Sequence, residues 1–174
     1  MLQNYIRYKI LQEFFNFPQK NFHMREMSRA VKLSQPSTIA HLKALLTEGF
    51  ILKEKNGLYP TFRANRDNKL FRFYKKFNII SRIYQEGLLD YIYDNCMPDA
   101  IIMFGSASKG EDIEESDIDI FVQAPKKRLD LEKYEKSLNR RITLFFEENF
   151  HKLNNELKNN ILNGIMLKGY IKIF

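Results

Sequence analysis

Residues 100–122 read AIIMFGSASKGEDIEESDIDIFV, and no other stretch limits the fold as tightly. The opening run AIIMF is continuous and apolar but short, which fits a strand buried on both faces. It ends at Gly105-Ser106, and after the ten residues ASKGEDIEES come Asp117 and then a second apolar run, IDIFV. Strand side chains alternate, so Asp117 and Asp119 point to one face of the sheet. Two carboxylates side by side repel unless a cation stands between them. Oxygen ligands of this kind suit Mg²⁺, which takes one or two protein carboxylates and fills its shell with water and substrate phosphates. Gly105 lets the backbone approach a phosphate, the Ser106 hydroxyl and nearby N–H groups can bind its oxygens, and Lys109 adds a positive charge.

The charge distribution is as informative as its total. Of the formal +7, residues 1–76 hold 15 Lys and Arg against 5 Asp and Glu, whereas residues 77–174 hold 13 against 16. Such asymmetry points to a nucleic-acid-facing module joined to one that needs acidic groups, or to a solvated basic face. The chain of 174 residues can build one full core or two small ones. Its apolar runs are far shorter than the roughly 20 residues that cross a bilayer, and the N-terminus lacks a secretory pattern. A soluble, cytoplasmic protein without a membrane partner is expected. The single Cys96 cannot form an internal disulfide, and His23, His41 and His151 are not at metal-ligand spacing.

The basic half has its own organisation. YIRYKILQEFFNF places Ile6, Ile10, Phe14 and Phe17 at helical spacing before Pro18. FHMREMSRAVKL then puts Met24, Met27, Ala30 and Val31 on one face. Ser34 offers an N-cap to a third helix, PSTIAHLKALLTEG, with Pro36 in its first turn and Gly49 as its stop. In that helix Ile39, Leu42, Leu45 and Leu46 are expected inside, with Gln35, Ser37, Thr38, His41 and Lys43 on the other side. FILKEKNGLYPTFRA reads as two strands around Asn56-Gly57, a pair suited to a type I′ turn. This order resembles a winged helix-turn-helix over about residues 3–66. The resemblance implies that Gln35, Ser37, Thr38 and His41 sit at base edges of double-stranded DNA. It likewise puts Lys32, Lys43, Lys53, Lys55 and Arg63 near phosphates. The competing use of the same module is protein–protein contact.

NKLFRFYKKFNIISRIYQE carries Leu70, Phe73, Phe77, Ile80 and Ile83 or Tyr84 every three or four residues, a connecting helix that packs within its own chain or forms a homodimer with a second copy. Gly87 ends it, and LLDYIYDNC forms another helix before AIIMF.

The combination IIMF-Gly105-Ser106, Lys109-Gly110 and Asp117-Ile118-Asp119-Ile120 resembles the DNA polymerase beta-like nucleotidyltransferase superfamily, most closely its minimal branch. The resemblance covers about residues 88–174. It implies an NTP, ATP or another, bound through Mg²⁺ at Asp117 and Asp119, with Gly105, Ser106, Lys109 and Ser116 around the nucleotide. Asp117 and Asp119 would then serve two-metal transfer of a nucleotide to a hydroxyl, with pyrophosphate leaving. The family's third carboxylate falls on the strand RRITLFF, where Thr143 stands. Glu147 shares its parity but lies four residues on, about 13 Å along an extended chain, and replaces it only if the strand bends. The expected fold is α+β: a winged helix-turn-helix over 1–68, a connecting helix over 69–86, and a small nucleotidyltransferase-fold α/β domain with a mixed sheet over 87–174. Three functions stay open: a transferase acting on a protein or RNA hydroxyl, with a HEPN-type toxin as the protein partner; a transcriptional regulator whose degenerate domain senses nucleotides without catalysis; and a scaffold with neither activity.

Overall fold

The computed structural model describes residues 5–55 and 58–172, so the Asn56-Gly57 turn lies outside the described residues. The chain divides into two units, 1–75 and 76–174.

In the first unit, helix α1 (Ile6–Asn16) turns Ile10, Leu11, Phe14 and Phe15 into the core. Strand β1 (Phe22–His23) leads directly into α2 (Met24–Ala30), whose entry is closed by a reciprocal capping pair of His23 and Glu26. Helix α3 (Gln35–Thr47) begins where expected, with Ser34 accepting from the Ser37 N–H and Pro36 in the first turn. Strands β2 (Ile51–Glu54) and β3 (Thr61–Ala64) pair antiparallel, and β1 adds to the far edge of β3. The aromatic content now has a use: Phe14 meets Phe22 edge-on, and Phe15 meets Phe71, with ring centroids 5.2 and 5.1 Å apart.

Helix α4 (Lys69–Gln85) is the connecting helix, and its expected apolar stripe divides along its length. Leu70, Phe73, Phe77 and Tyr84 are exposed, whereas Ile83 of the expected set is buried and Ile80 packs partly buried against the second unit's core; Phe71, Lys75, Asn78 and Ile79 are buried as well. Both rows have helical spacing, and the periodicity alone could not choose between them.

In the second unit, α5 (Leu88–Cys96) is followed by β4 (Ala100–Phe104), α6 (Gly105–Lys109), β5 (Ile118–Val122), α7 (Glu132–Leu138), β6 (Ile142–Phe146), α8 (Asn155–Leu162) and β7 (Ile165–Gly169). The sheet order is β6-β5-β4-β7, with β5 and β6 parallel and the other pairs antiparallel, so the sheet is mixed. Ile101, Met103, Ile118, Ile120, Val122 and Ile142 fill one face against Leu88, Leu89, Ile92, Tyr134 and Leu138 from α5 and α7. The opposite face is shared. Ile102, Phe104 and Phe121 pack on Phe150 and on Ile161 of α8. On the same face, next to Phe104, the alternation that buries Ile118 and Ile120 turns Asp119 outward, and Asp117 stands just before the strand. No helix among the described residues is long and apolar enough to cross a membrane.

Candidate active site in the second unit

Strand register assembles the site. Asp119 lies opposite Phe104 on β4 and beside Thr143 on β6, so β5 presents its carboxylate between the two neighbouring strands. Asp117 stands one residue before β5, and the Thr143 Oγ1 donates to its Oδ2 at 2.9 Å. Thr143 thus occupies the position that the resemblance gives to a third acid. Register also decides the fate of Glu147. β6 stays paired without a bulge through Phe146↔Val122, and the Glu147 N–H bonds the Val122 carbonyl. That places Glu147 at the far end of β5, about 16 Å of strand from Asp117, with its carboxylate accepting from Asn149 N–H. The bend needed to bring it to the site is absent.

Gly105 opens α6 with φ +71°, and a Cβ built there would fall 2.4 Å from the Asp119 Oδ2. Both facts require glycine: an L side chain would be strained in this region, and it would displace the carboxylate. Ser106 is half-buried in the same short helix, and Lys109 ends it in solvent before Gly110. The ten-residue loop of the sequence reading is therefore a helical turn followed by a tight return. Ser116, expected at the nucleotide, accepts from Ile113 N–H at 2.9 Å and so closes a turn of that return; its hydroxyl proton can still donate.

Two residues were not foreseen. Asp112 of the return and Arg140, just before β6, are both buried with carboxylate and guanidinium 3.7 Å apart. Removing one partner of a buried pair is costly, so the pair ties the loop before Asp117 to the strand that carries Thr143. The sequence held only a faint signal for it, an acid in a polar loop and an arginine at a strand start.

Burial raises the Asp119 carboxyl above its ordinary range, and the charge of Asp117 adds to the effect. A carboxylate held in that condition gains from a cation. Among the described residues no three His, Cys, Asp or Glu converge, so the donor set is a carboxylate pair. It fits a hard divalent ion that completes its shell with phosphate oxygens and water. Such an ion would neutralise phosphate charge and hold a triphosphate. Asp117 and Asp119 would hold it, Gly105 keeps room beside Asp119, and Thr143 orients Asp117 without adding an anionic ligand.

The residues expected at DNA fall into three groups. Gln35, Lys43, Lys53, Lys55 and Lys32 are exposed. Ser37 and His41 are half-buried. Thr38 is fully buried, and its hydroxyl donates to the Ser34 carbonyl at 2.9 Å, so it cannot stand at a base edge. The correction follows from helical geometry: Thr38, Leu42 and Leu45 form one inward row at i, i+4 and i+7, and a threonine there satisfies itself on the preceding turn. Ile39, expected inside, is 39% exposed. Arg63 pairs with Glu54 across the hairpin, which offsets its charge.

No curated protein and no solved structure matches the chain. Residues 86–171 match the family model described as Polymerase beta, Nucleotidyltransferase. That span contains all four strands of the second sheet together with Gly105, Asp117, Asp119 and Thr143, and the C-terminal half carries a nucleotidyltransferase-type domain.

Proposed function

We propose that the chain is a DNA-binding protein whose nucleotidyltransferase-type domain binds an NTP with Mg²⁺ at Asp117 and Asp119. The observation that carries the nucleotide part is the convergence of the two aspartates on one sheet face beside Gly105, in a domain matching that family. The DNA part is supported by the order of α1, α2, α3 and the β2–β3 hairpin, which resembles that of a winged helix-turn-helix, and by exposed Gln35, Lys43, Lys53 and Lys55. The exposed row Leu70, Phe73 and Phe77 on α4 supports a homodimer through that helix.

The Thr143 hydroxyl favours nucleotide binding over efficient transfer. A metal that activates an attacking hydroxyl needs anionic ligands, and threonine supplies none. The regulator that senses nucleotides is therefore the leading reading. The second reading, transfer to a protein or RNA hydroxyl with a HEPN-type toxin as partner, is kept by the intact Asp117 and Asp119.

Calorimetry of ATP binding with and without Mg²⁺ tests the nucleotide site. Wild type should bind in a Mg²⁺-dependent way and Asp117→Asn/Asp119→Asn should not; equal affinity in the double variant sinks the metal assignment. Incubation with radiolabelled ATP, Mg²⁺ and lysate of the protein's own organism separates the two readings: a labelled macromolecule supports transfer, and ATP binding without label supports sensing. Duplex DNA affinity should fall steeply with salt if lysines carry it.

A further inference from the structure

A cleft of about 410 Å³ opens in the first unit between α2, α3 and the β2–β3 hairpin. Its walls are largely apolar, with Met24, Ile39, Leu46, Tyr59 and Phe62 prominent. Its size is within the range of small-molecule sites, about 300–1,000 Å³. The lining contains no Asp or Glu but does contain Arg25, Lys43 and Lys53. Secondary structure puts cation and apolar group side by side. Lys43 is four residues after Ile39 and three before Leu46, so the three form one row along α3. Lys53 is the cross-strand partner of Phe62, and directly paired residues project to the same side of a hairpin.

These cations are not used up by the surrounding acids. Glu26 is engaged by Lys20 at 2.7 Å, and Glu54 by Arg63. Arg25, Lys43 and Lys53 form no ion pair with a described residue. An apolar cavity with an uncompensated positive rim complements a ligand with an apolar body and one anionic head. Water alone satisfies such a space poorly, because the walls offer it few hydrogen-bond partners.

We propose that this cleft binds a small amphipathic anion, its apolar body between Ile39, Leu46 and Phe62 and its head group at Lys43 and Lys53. Lys43 and Lys53 are also in the set proposed above for phosphate contact. Ligand and duplex would then compete for them, a consequence that rests on the DNA reading, whereas the site itself does not.

The test is calorimetric titration of the full chain with decanoate, decanol and decylamine, each below its aggregation concentration. Decanoate should bind saturably at one site per chain, at least tenfold more tightly than decanol, with decylamine weakest. Lys43→Glu/Lys53→Glu should weaken decanoate at least tenfold and change decanol less than twofold. Ile39→Glu should abolish decanoate binding. All three positions are exposed, so the fold should persist, as checked by far-UV circular dichroism. The proposal is overturned if decanoate shows no saturable binding, if it binds no better than decanol, or if the lysine variant binds it as wild type does. Loss of binding in Phe77→Ser but not in Ile39→Glu would place the ligand on α4 and overturn it as well.

Discussion

Substituting Gly105 by alanine perturbs backbone and carboxylate together, and the two costs can be measured apart. With φ at +71°, an alanine at this position enters the left-handed region, at about 1–2 kcal/mol. Its Cβ would also stand 2.4 Å from the Asp119 Oδ2. The oxygen is the end of a side chain, so Asp119 yields by leaving its rotamer, at about 0.5–1.5 kcal/mol. The sum is about 2.5 kcal/mol, which for a unit of this size lowers Tm by about 10–20 °C. Removing the carboxylate should recover only the second part. In Gly105→Ala/Asp119→Ala the nearest remaining atom is the residue 119 Cβ at 3.6 Å, an ordinary contact. Chemical denaturation of wild type, the two single variants and the double variant should therefore give a coupling of about 0.5–1.5 kcal/mol. Because Gly105→Ala moves an expected metal ligand, Mg²⁺-dependent ATP affinity should also fall at least tenfold. Strict additivity in the cycle, or a Gly105→Ala variant as stable as wild type, would refute the view that this glycine exists to make room for Asp119.

Three further outcomes are expected. Because its folded pKa is raised above the ordinary 3.8, Asp119 contributes stability fully present below that value and lost as pH rises through the folded pKa. Asp119→Asn should therefore raise the Mg²⁺-free Tm at neutral pH by a few degrees and flatten this part of the profile, and a lower neutral Tm would contradict the assignment. Thr143→Asp removes the hydroxyl that Asp117 accepts from and adds a third carboxylate. It should cost about 1–3 kcal/mol without metal, less with Mg²⁺, and should raise transfer from labelled ATP; absence of turnover in both forms while both bind ATP favours the sensor. In DNA titrations, Lys55→Ala should reduce the salt slope by about 1, and Arg63→Ala by less, because Glu54 already holds its guanidinium; equal effects would contradict that ranking.

Local rules carried the reading furthest where chemistry and periodicity coincide. Asp117 and Asp119 had to share a face because strand side chains alternate, whatever the strand paired with. Ser34, Pro36 and Gly49 bracket α3 through capping chemistry that acts within a turn. The same locality explains the failures. A helix with two apolar rows has no internal means of choosing between them, so Leu70, Phe73 and Phe77 ended outside and Phe71 and Ile79 inside, while Ile83 of the expected stripe is buried. Thr38 went inward because Leu42 and Leu45 set the row, and its hydroxyl found the Ser34 carbonyl.

Sequence alone determined the carboxylate pair and the presence of threonine, not an acid, at position 143; that Gly105 must be glycine to make room for Asp119 came from the structure. Only the tertiary structure decided that Thr143 stands beside Asp119 and that Glu147 does not. That decision depends on which residue of β6 faces which residue of β5 across a gap of more than twenty residues. Strand pairing is set by the burial of Ile118, Ile120, Ile142 and Leu144 on the shared face, since a slip by one residue would turn that whole set to the other side. The buried Asp112–Arg140 pair is likewise a product of that closure: each residue alone is a polar loop position, and only the assembled sheet brings the two charges within 3.7 Å.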